Sequence, residues 1–175
     1  EDATGTERNV ITAIESQQKA TLDSIDRILT SPLRRARQTA QAVAVGRGIP
    51  VLVEENIVEM AFGELEGQLL SDFPACECIF SDPEHYVPLE GGESYAQLDV
   101  RCRKLLEEIL PPLEGRFHDV VLVSHGAFIR GVVCRVLGLP LKDFWDAPPQ
   151  PNCSCTVLEL KNGVCTLVEE GRVYG

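Results

Sequence analysis

The stretch from Asp119 to Gly138 constrains the fold of this chain more than any other. Asp119-Val120-Val121-Leu122-Val123-Ser124 is a continuous apolar run of strand length. His125-Gly126 breaks it, and Ala127 to Leu137 follows as an apolar helix closed by Gly138. A strand that is apolar throughout belongs where both faces of a sheet are covered, which is the habit of parallel sheets. A helix directly behind it is the covering layer.

The rest of the chain repeats this grammar. Thr12 to Leu22 reads as a helix and Ile25 to Thr30 as a short strand. Ser31-Pro32 reads as a helix start, with Ser31 as N-cap and Pro32 in the first helical position. Leu33 to Val45 then places Leu33, Ala36, Ala40 and Val43 on one face, and Gly46 and Gly48 end the helix. Ile49 to Val53 reads as a second strand. Ser94 to Leu110 has helical spacing through Leu98, Val100, Leu105, Leu106 and Ile109. Cys155 to Leu160 and Val164 to Glu169 form a hairpin about Lys161-Asn162-Gly163, since Asn-Gly supplies the left-handed turn a tight hairpin needs. These elements predict one α/β domain over residues 1–175, a three-layer sandwich around a mostly parallel central sheet. From Glu54 to Glu93 the pattern is irregular, with Pro74, Pro83, Pro88 and Gly91-Gly92. A loop-rich stretch of that length in a compact domain is expected to form a lid or substrate wall.

Charge narrows the partners. Sixteen Lys+Arg stand against 27 Asp+Glu, a formal net charge of -11. That is adverse for a phosphate backbone or an anionic membrane. The positive charge is bunched instead, Arg34, Arg35 and Arg37 lying in one turn, which suits a small phosphorylated ligand. Seven cysteines, an odd number in a chain long enough to fold without bridges, read as reduced thiols of a cytoplasmic protein. The pairs Cys76/Cys78 and Cys153/Cys155 lack the spacing and the histidines of a zinc knuckle, so neither metal nor cofactor is expected. No basic and apolar leader is visible at Glu1-Asp2-Ala3-Thr4-Gly5-Thr6.

In parallel sheets ligands bind beyond the carboxyl ends of the strands, beside helix N-termini. Ser31 to Arg35 and Ser124 to Gly126 fall at that edge. His125 is a candidate for chemistry there, equally open to a helix-capping role, whereas His85 and His118 sit in polar, loop-like surroundings and read as solvated. Helical spacing puts Arg34 and Arg37 on one face with Gln38 and turns Arg35 elsewhere. One arginine in the first turn can fork onto two phosphate oxygens. Glu59, Glu64 and Glu66 surround Phe62-Gly63 and Gly67, and one carboxyl there can act as general acid.

Four blocks in this order resemble the histidine phosphatase superfamily in its phosphoglycerate-mutase-like branch. They are Ser31-Pro32-Leu33-Arg34-Arg35-Ala36-Arg37-Gln38-Thr39-Ala40, Glu59-Met60-Ala61-Phe62-Gly63-Glu64-Leu65-Glu66-Gly67, Gly91-Gly92-Glu93-Ser94, and Val123-Ser124-His125-Gly126 with Arg130 a turn later. Ile11-Thr12 with Gln18 looks like the family's helix start, with Glu15 where glycine is usual. The resemblance implies a phosphomonoesterase acting on a small phosphorylated metabolite through a phosphohistidine. It assigns catalytic roles to His125, Glu59 and Arg35: Arg35 grips the phosphate, His125 is the second histidine of its pocket, and Glu59 protonates the leaving oxygen and then activates water. Substrate contacts are expected from Arg35, Ser31, Gly126 and Glu93. The family's nucleophile lies in an Arg-His-Gly motif ending a first strand, and no such motif occurs in these 175 residues. That strand is therefore expected upstream of Glu1. A mutase of the same family, a non-catalytic phosphate-binding or regulatory module, and association as a homodimer stay open at this stage.

Overall fold

The structure, a computed structural model, describes residues 25–67, 78–146 and 151–173. The helix expected over Thr12 to Leu22 and Cys76 lie outside the described residues. In chain order the elements are β1 (Ile25–Thr30), α1 (Arg34–Ala44), β2 (Val51–Val53), α2 (Cys78–Ser81), α3 (Tyr95–Lys104), β3 (Asp119–Val123), α4 (Gly126–Leu137), β4 (Cys155–Lys161) and β5 (Val164–Arg172). β2, β1 and β3 form a parallel sheet in that order, and β4 and β5 an antiparallel hairpin. The α/β layering expected from the sequence is what the chain adopts.

The period-two alternation of the strands builds the layers. Ile28 on β1 with Val121 and Val123 on β3 face α1, whose Ala40 and Val43 close that side. Leu29 on β1 with Val120 and Leu122 on β3 face the opposite side, against Leu98 of α3 and Phe128 and Val132 of α4. A register shift between Ile25 and Arg27 brings Ile25 onto the α1 side as well. α3 and α4 approach closely because position 131 is glycine: a Cβ there would lie 2.8 Å from the Cys102 sulfur.

Several local expectations are corrected. Ser31 does not cap α1; the helix begins at Arg34 with Leu33 as its N-cap and no side-chain cap. The reason is tertiary, since Ser31 N–H donates to the Val123 carbonyl at 2.9 Å and so extends β1 along β3. Val100 faces solvent at 52% exposure, on the side of α3 away from the core. α3 opens with a reciprocal Ser94–Gln97 capping box and passes into a turn of π-helix at Leu105–Ile109, so the expected single helix is two. β3 is half-buried rather than sealed on both faces, because it lies at an edge of the sheet among the described residues. The hairpin turn has Asn162 and Gly163 at positive φ, as an Asn-Gly turn requires. The Glu114 carboxylate accepts from both turn N–H groups, at 2.7 and 2.8 Å.

Candidate active site

β1 and β3 run parallel and in register, Thr30 beside Val123, so the residues that follow each strand meet at one edge. Ser31 and Arg35 come from the first, His125 from the second. The Arg35 Nε–H donates to His125 Nδ1 at 3.2 Å, and His125 Nε2 lies 2.7 Å from Ser31 Oγ. His125 is 7% exposed and Ser31 wholly buried, while Arg35 is exposed. Burial, and then the Arg35 charge, push the His125 imidazolium down to about 4, so the ring is neutral near pH 7. Arg34 and Arg37 are exposed on the same helix.

His125 is also the N-cap residue of α4, and its side chain does not cap that helix. The cap comes from a distant loop: Glu59 Oε1 accepts from the Phe128 N–H at 3.2 Å and from the Met60 N–H at 3.0 Å. A carboxylate at a helix N-terminus is favoured by the free N–H groups and the dipole. Glu59 and His125 thereby meet at the first turn of α4. Glu59 borders a cleft of about 280 Å³ that is also lined by Val58, Ala61, Gly92, Glu93, Gln97 and Arg101.

The Glu59 loop is seated backbone against backbone on the Gly91-Gly92 loop. Phe62 and Gly92 form a bridge, the Glu93 N–H donates to Ala61 O at 2.7 Å, and the Glu64 N–H donates to Glu90 O at 3.2 Å. Gly63, at φ +58, makes this possible. A Cβ there would stand 2.3 Å from Glu90 O and 2.4 Å from Gly92 N.

The residue that ties this region together was not singled out from the sequence. Arg101 on α3 forks onto Glu93, with Nε and Nη2 at 2.7 and 2.6 Å from its two carboxylate oxygens. Its Nη1 donates to the carbonyls of Asn56 and Val58, both at 2.8 Å, and its guanidinium stands 5.0 Å from the Phe128 ring centroid. One side chain thus pins the Gly-Gly-Glu-Ser loop, the segment leading into Glu59 and the helix turn that Glu59 caps. The only trace of this in the sequence is a basic residue two helical turns beyond Glu93.

Expected substrate contacts divide accordingly. Arg35 and Gly126 are exposed at the site. Ser31 lies behind His125, and Glu93 is engaged by Arg101. Arg130 faces inward, bound to the Phe144 carbonyl and to Glu170 at 3.0 Å. His118 is exposed, and His85 is exposed beside Asp82, whose contact raises it. The described residues contain no group of three or more His, Cys, Asp and Glu placed to hold a metal ion.

An arginine and a neutral histidine at the carboxyl ends of two parallel strands, with a carboxylate brought by a loop to the same helix turn, form a site suited to a phosphoryl group. The chain belongs to the Histidine phosphatase superfamily (branch 1), whose signature matches residues 8–171. It is 31% identical over 132 residues to Phosphoserine phosphatase 1 of Hydrogenobacter thermophilus, covering 73% of this chain and 62% of that one. The chain thus spans about three fifths of that relative's length. Among solved structures it is similar to Bacillus stearothermophilus YhfR, with a TM-score of 0.85, 26% identity, and coverage of 97% and 84% of the two chains. It is also similar to a mycobacterial glucosyl-3-phosphoglycerate phosphatase in complex with inorganic phosphate, with a TM-score of 0.76, 25% identity, and coverage of 95% and 84%.

Proposed function

We propose that this protein is a phosphatase of small phosphorylated metabolites, working through a phosphohistidine. The observation that carries the reading is the convergence of Arg35, His125 and Glu59 at the first turn of α4. An oxyanion there meets the Arg35 fork, the His125 ring and the N–H groups of Gly126 and Ala127, which have no partner among the described residues. The names of the relatives, phosphatases of phosphoserine and of glucosyl-3-phosphoglycerate, support the substrate class.

In this reading a histidine nitrogen attacks phosphorus, the P–O bond to the substrate breaks, and the departing oxygen takes a proton from Glu59. Water then attacks phosphorus and gives its proton back to Glu59 as the N–P bond breaks. Glu59 Oε2 suits the transfer, because both N–H bonds fall on Oε1 and leave Oε2 without a partner among the described residues. The family resemblance gives the attack to the histidine of an Arg-His-Gly motif, which does not occur in these 175 residues. Residues 54–93 serve as the substrate wall. We place the protein in the cytoplasm, without nucleic acid or membrane partners, which its net charge of -11 supports; no described helix is long and apolar enough to cross a membrane.

The test is orthovanadate titration of the chain and of Arg35→Ala, with hydrolysis of small phosphate esters by the full-length natural protein. Arg35→Ala should weaken vanadate at least about tenfold, a loss on the scale of one charge-assisted fork. Unchanged affinity would remove Arg35 from the site. Full turnover by residues 1–175 alone would make His125 the nucleophile.

A further inference from the structure

His125 is held from both sides, and the two contacts are not equivalent. On one side is Arg35, whose guanidinium has only N–H groups to offer and cannot accept. Its Nε–H points at Nδ1, so Nδ1 must present a lone pair. The ring proton therefore sits on Nε2, where Ser31 Oγ receives it at 2.7 Å. Ser31 is fixed for this role by the sheet: its N–H is bound to the Val123 carbonyl, and its Oγ also accepts the Leu33 N–H at 3.3 Å. A hydroxyl that is wholly buried and held at both ends cannot turn away.

We propose that Ser31 is the positioning residue that fixes His125 as its Nε2–H tautomer with Nδ1 toward the site, so that a tetrahedral dianion binds together with one proton, taken up at Nδ1. The reasoning rests on the phosphate-site reading above. A dianion drawn to Arg35 arrives beside Nδ1, and a lone pair facing anionic oxygen is repulsive. A proton on Nδ1 turns that contact into a charge-assisted hydrogen bond as the Arg35 Nε–H leaves Nδ1 for the anion, and the resulting imidazolium has both N–H groups satisfied, one by the anion and one by Ser31. The charged neighbours agree in sign. Burial, and after it Arg35 from α1, hold the free ring neutral, and the Arg35 charge is balanced once the anion sits on it. Glu59, held at the first turn of α4, is the acidic side chain on that side. The ends of β1 and β3 bring the hydroxyls of Thr30, Ser31 and Ser124 here, Thr30 donating to the Ser31 carbonyl at 3.2 Å and Ser124 to the Ile57 carbonyl at 2.7 Å.

Sulfate is the appropriate probe, because it carries no titrating proton between pH 5 and 8 and needs no catalysis. Calorimetry at pH 6.5 in buffers of different ionisation enthalpy should show about one proton taken up per sulfate bound. Affinity should fall about tenfold for each pH unit between 5.5 and 7.5, the limiting slope for one linked proton. Nitrogen NMR of the free protein should find the His125 proton on Nε2. Ser31→Ala should weaken sulfate about tenfold at pH 6.5 and scramble the tautomer. Saturable sulfate binding without proton uptake, or an Nδ1–H tautomer in the free wild-type protein, overturns the proposal while leaving the oxyanion site intact. Absence of saturable sulfate binding overturns the site reading itself, and with it the linked proton.

Discussion

Replacing Arg101 by leucine keeps a stem over Phe128 but removes the fork onto Glu93 and the two bonds to the carbonyls of Asn56 and Val58. Breaking a buried ion pair by deleting one partner costs about 3–5 kcal/mol, chiefly because the other charge is left stranded. Here the two side chains keep 19% and 13% exposure, so some water reaches Glu93 and the expected cost is about 2–4 kcal/mol. At roughly 2–4 °C per kcal/mol for a domain of this size, Arg101→Leu should melt about 4–16 °C lower. Glu93→Gln alone should cost less, about 1–2 kcal/mol, since an amide oxygen still accepts. The double variant should lose about 1–2 kcal/mol less than the sum of the single losses, which is the coupling of the pair. Urea unfolding followed by the fluorescence of the single tryptophan reads all four proteins. Trp145 is well placed for this, bonded to Ile79 O and Tyr95 Oη at the start of α3. A single-variant cost under about 0.5 kcal/mol, or no coupling, would reduce the pair to an ordinary surface contact and remove Arg101 as the clamp of the Glu59 loop.

Gly63→Ala should destabilise by about 2 kcal/mol or more, since both the positive φ and the backbone atoms facing it oppose a Cβ; chemical denaturation checks this, and a neutral result would mean the two loops are not seated as described. Glu59→Gln should slow an alkyl phosphate far more than an aryl phosphate, because a phenolate leaves with little help from an acid; equal effects would remove Glu59 as the proton donor. His125 makes stability depend on pH with a definite sign. Its folded value of about 4 lies below the ordinary 6.5, so the unfolded chain takes the proton first as pH falls. The contribution is complete above about pH 6.5 and is lost progressively toward pH 4, amounting to about 2–3 kcal/mol. Unfolding curves of wild type and His125→Asn that stay parallel between pH 6.5 and 4.5 would refute it. Ester hydrolysis should survive excess chelator, and a loss reversed by zinc or magnesium would refute the metal-independent reading.

What the sequence determined was local. The Asn162-Gly163 turn, the Gly138 stop of α4, the apolar face Ala36, Ala40 and Val43, and the strand before His125 each follow from one residue's backbone preference or from a short-range period. Four motif blocks in order carried the family, and with it the proposal that Arg35, Glu59 and His125 form the site. Tertiary structure decided what those residues touch. Ser31 looks like a helix cap to its neighbours, but Val123, on a strand 92 residues on, holds it extended and leaves its hydroxyl to His125. Glu93 looks free for a substrate until α3 presents Arg101 to it, and Glu59 is tied to the first turn of a helix 69 residues downstream. Sequence spacing sets the face on which a side chain emerges. Whether that side chain meets ligand, solvent or a partner is settled only when distant strands align, because buried polar groups must be paired and the pairing is decided by whichever element the fold brings within about 3 Å.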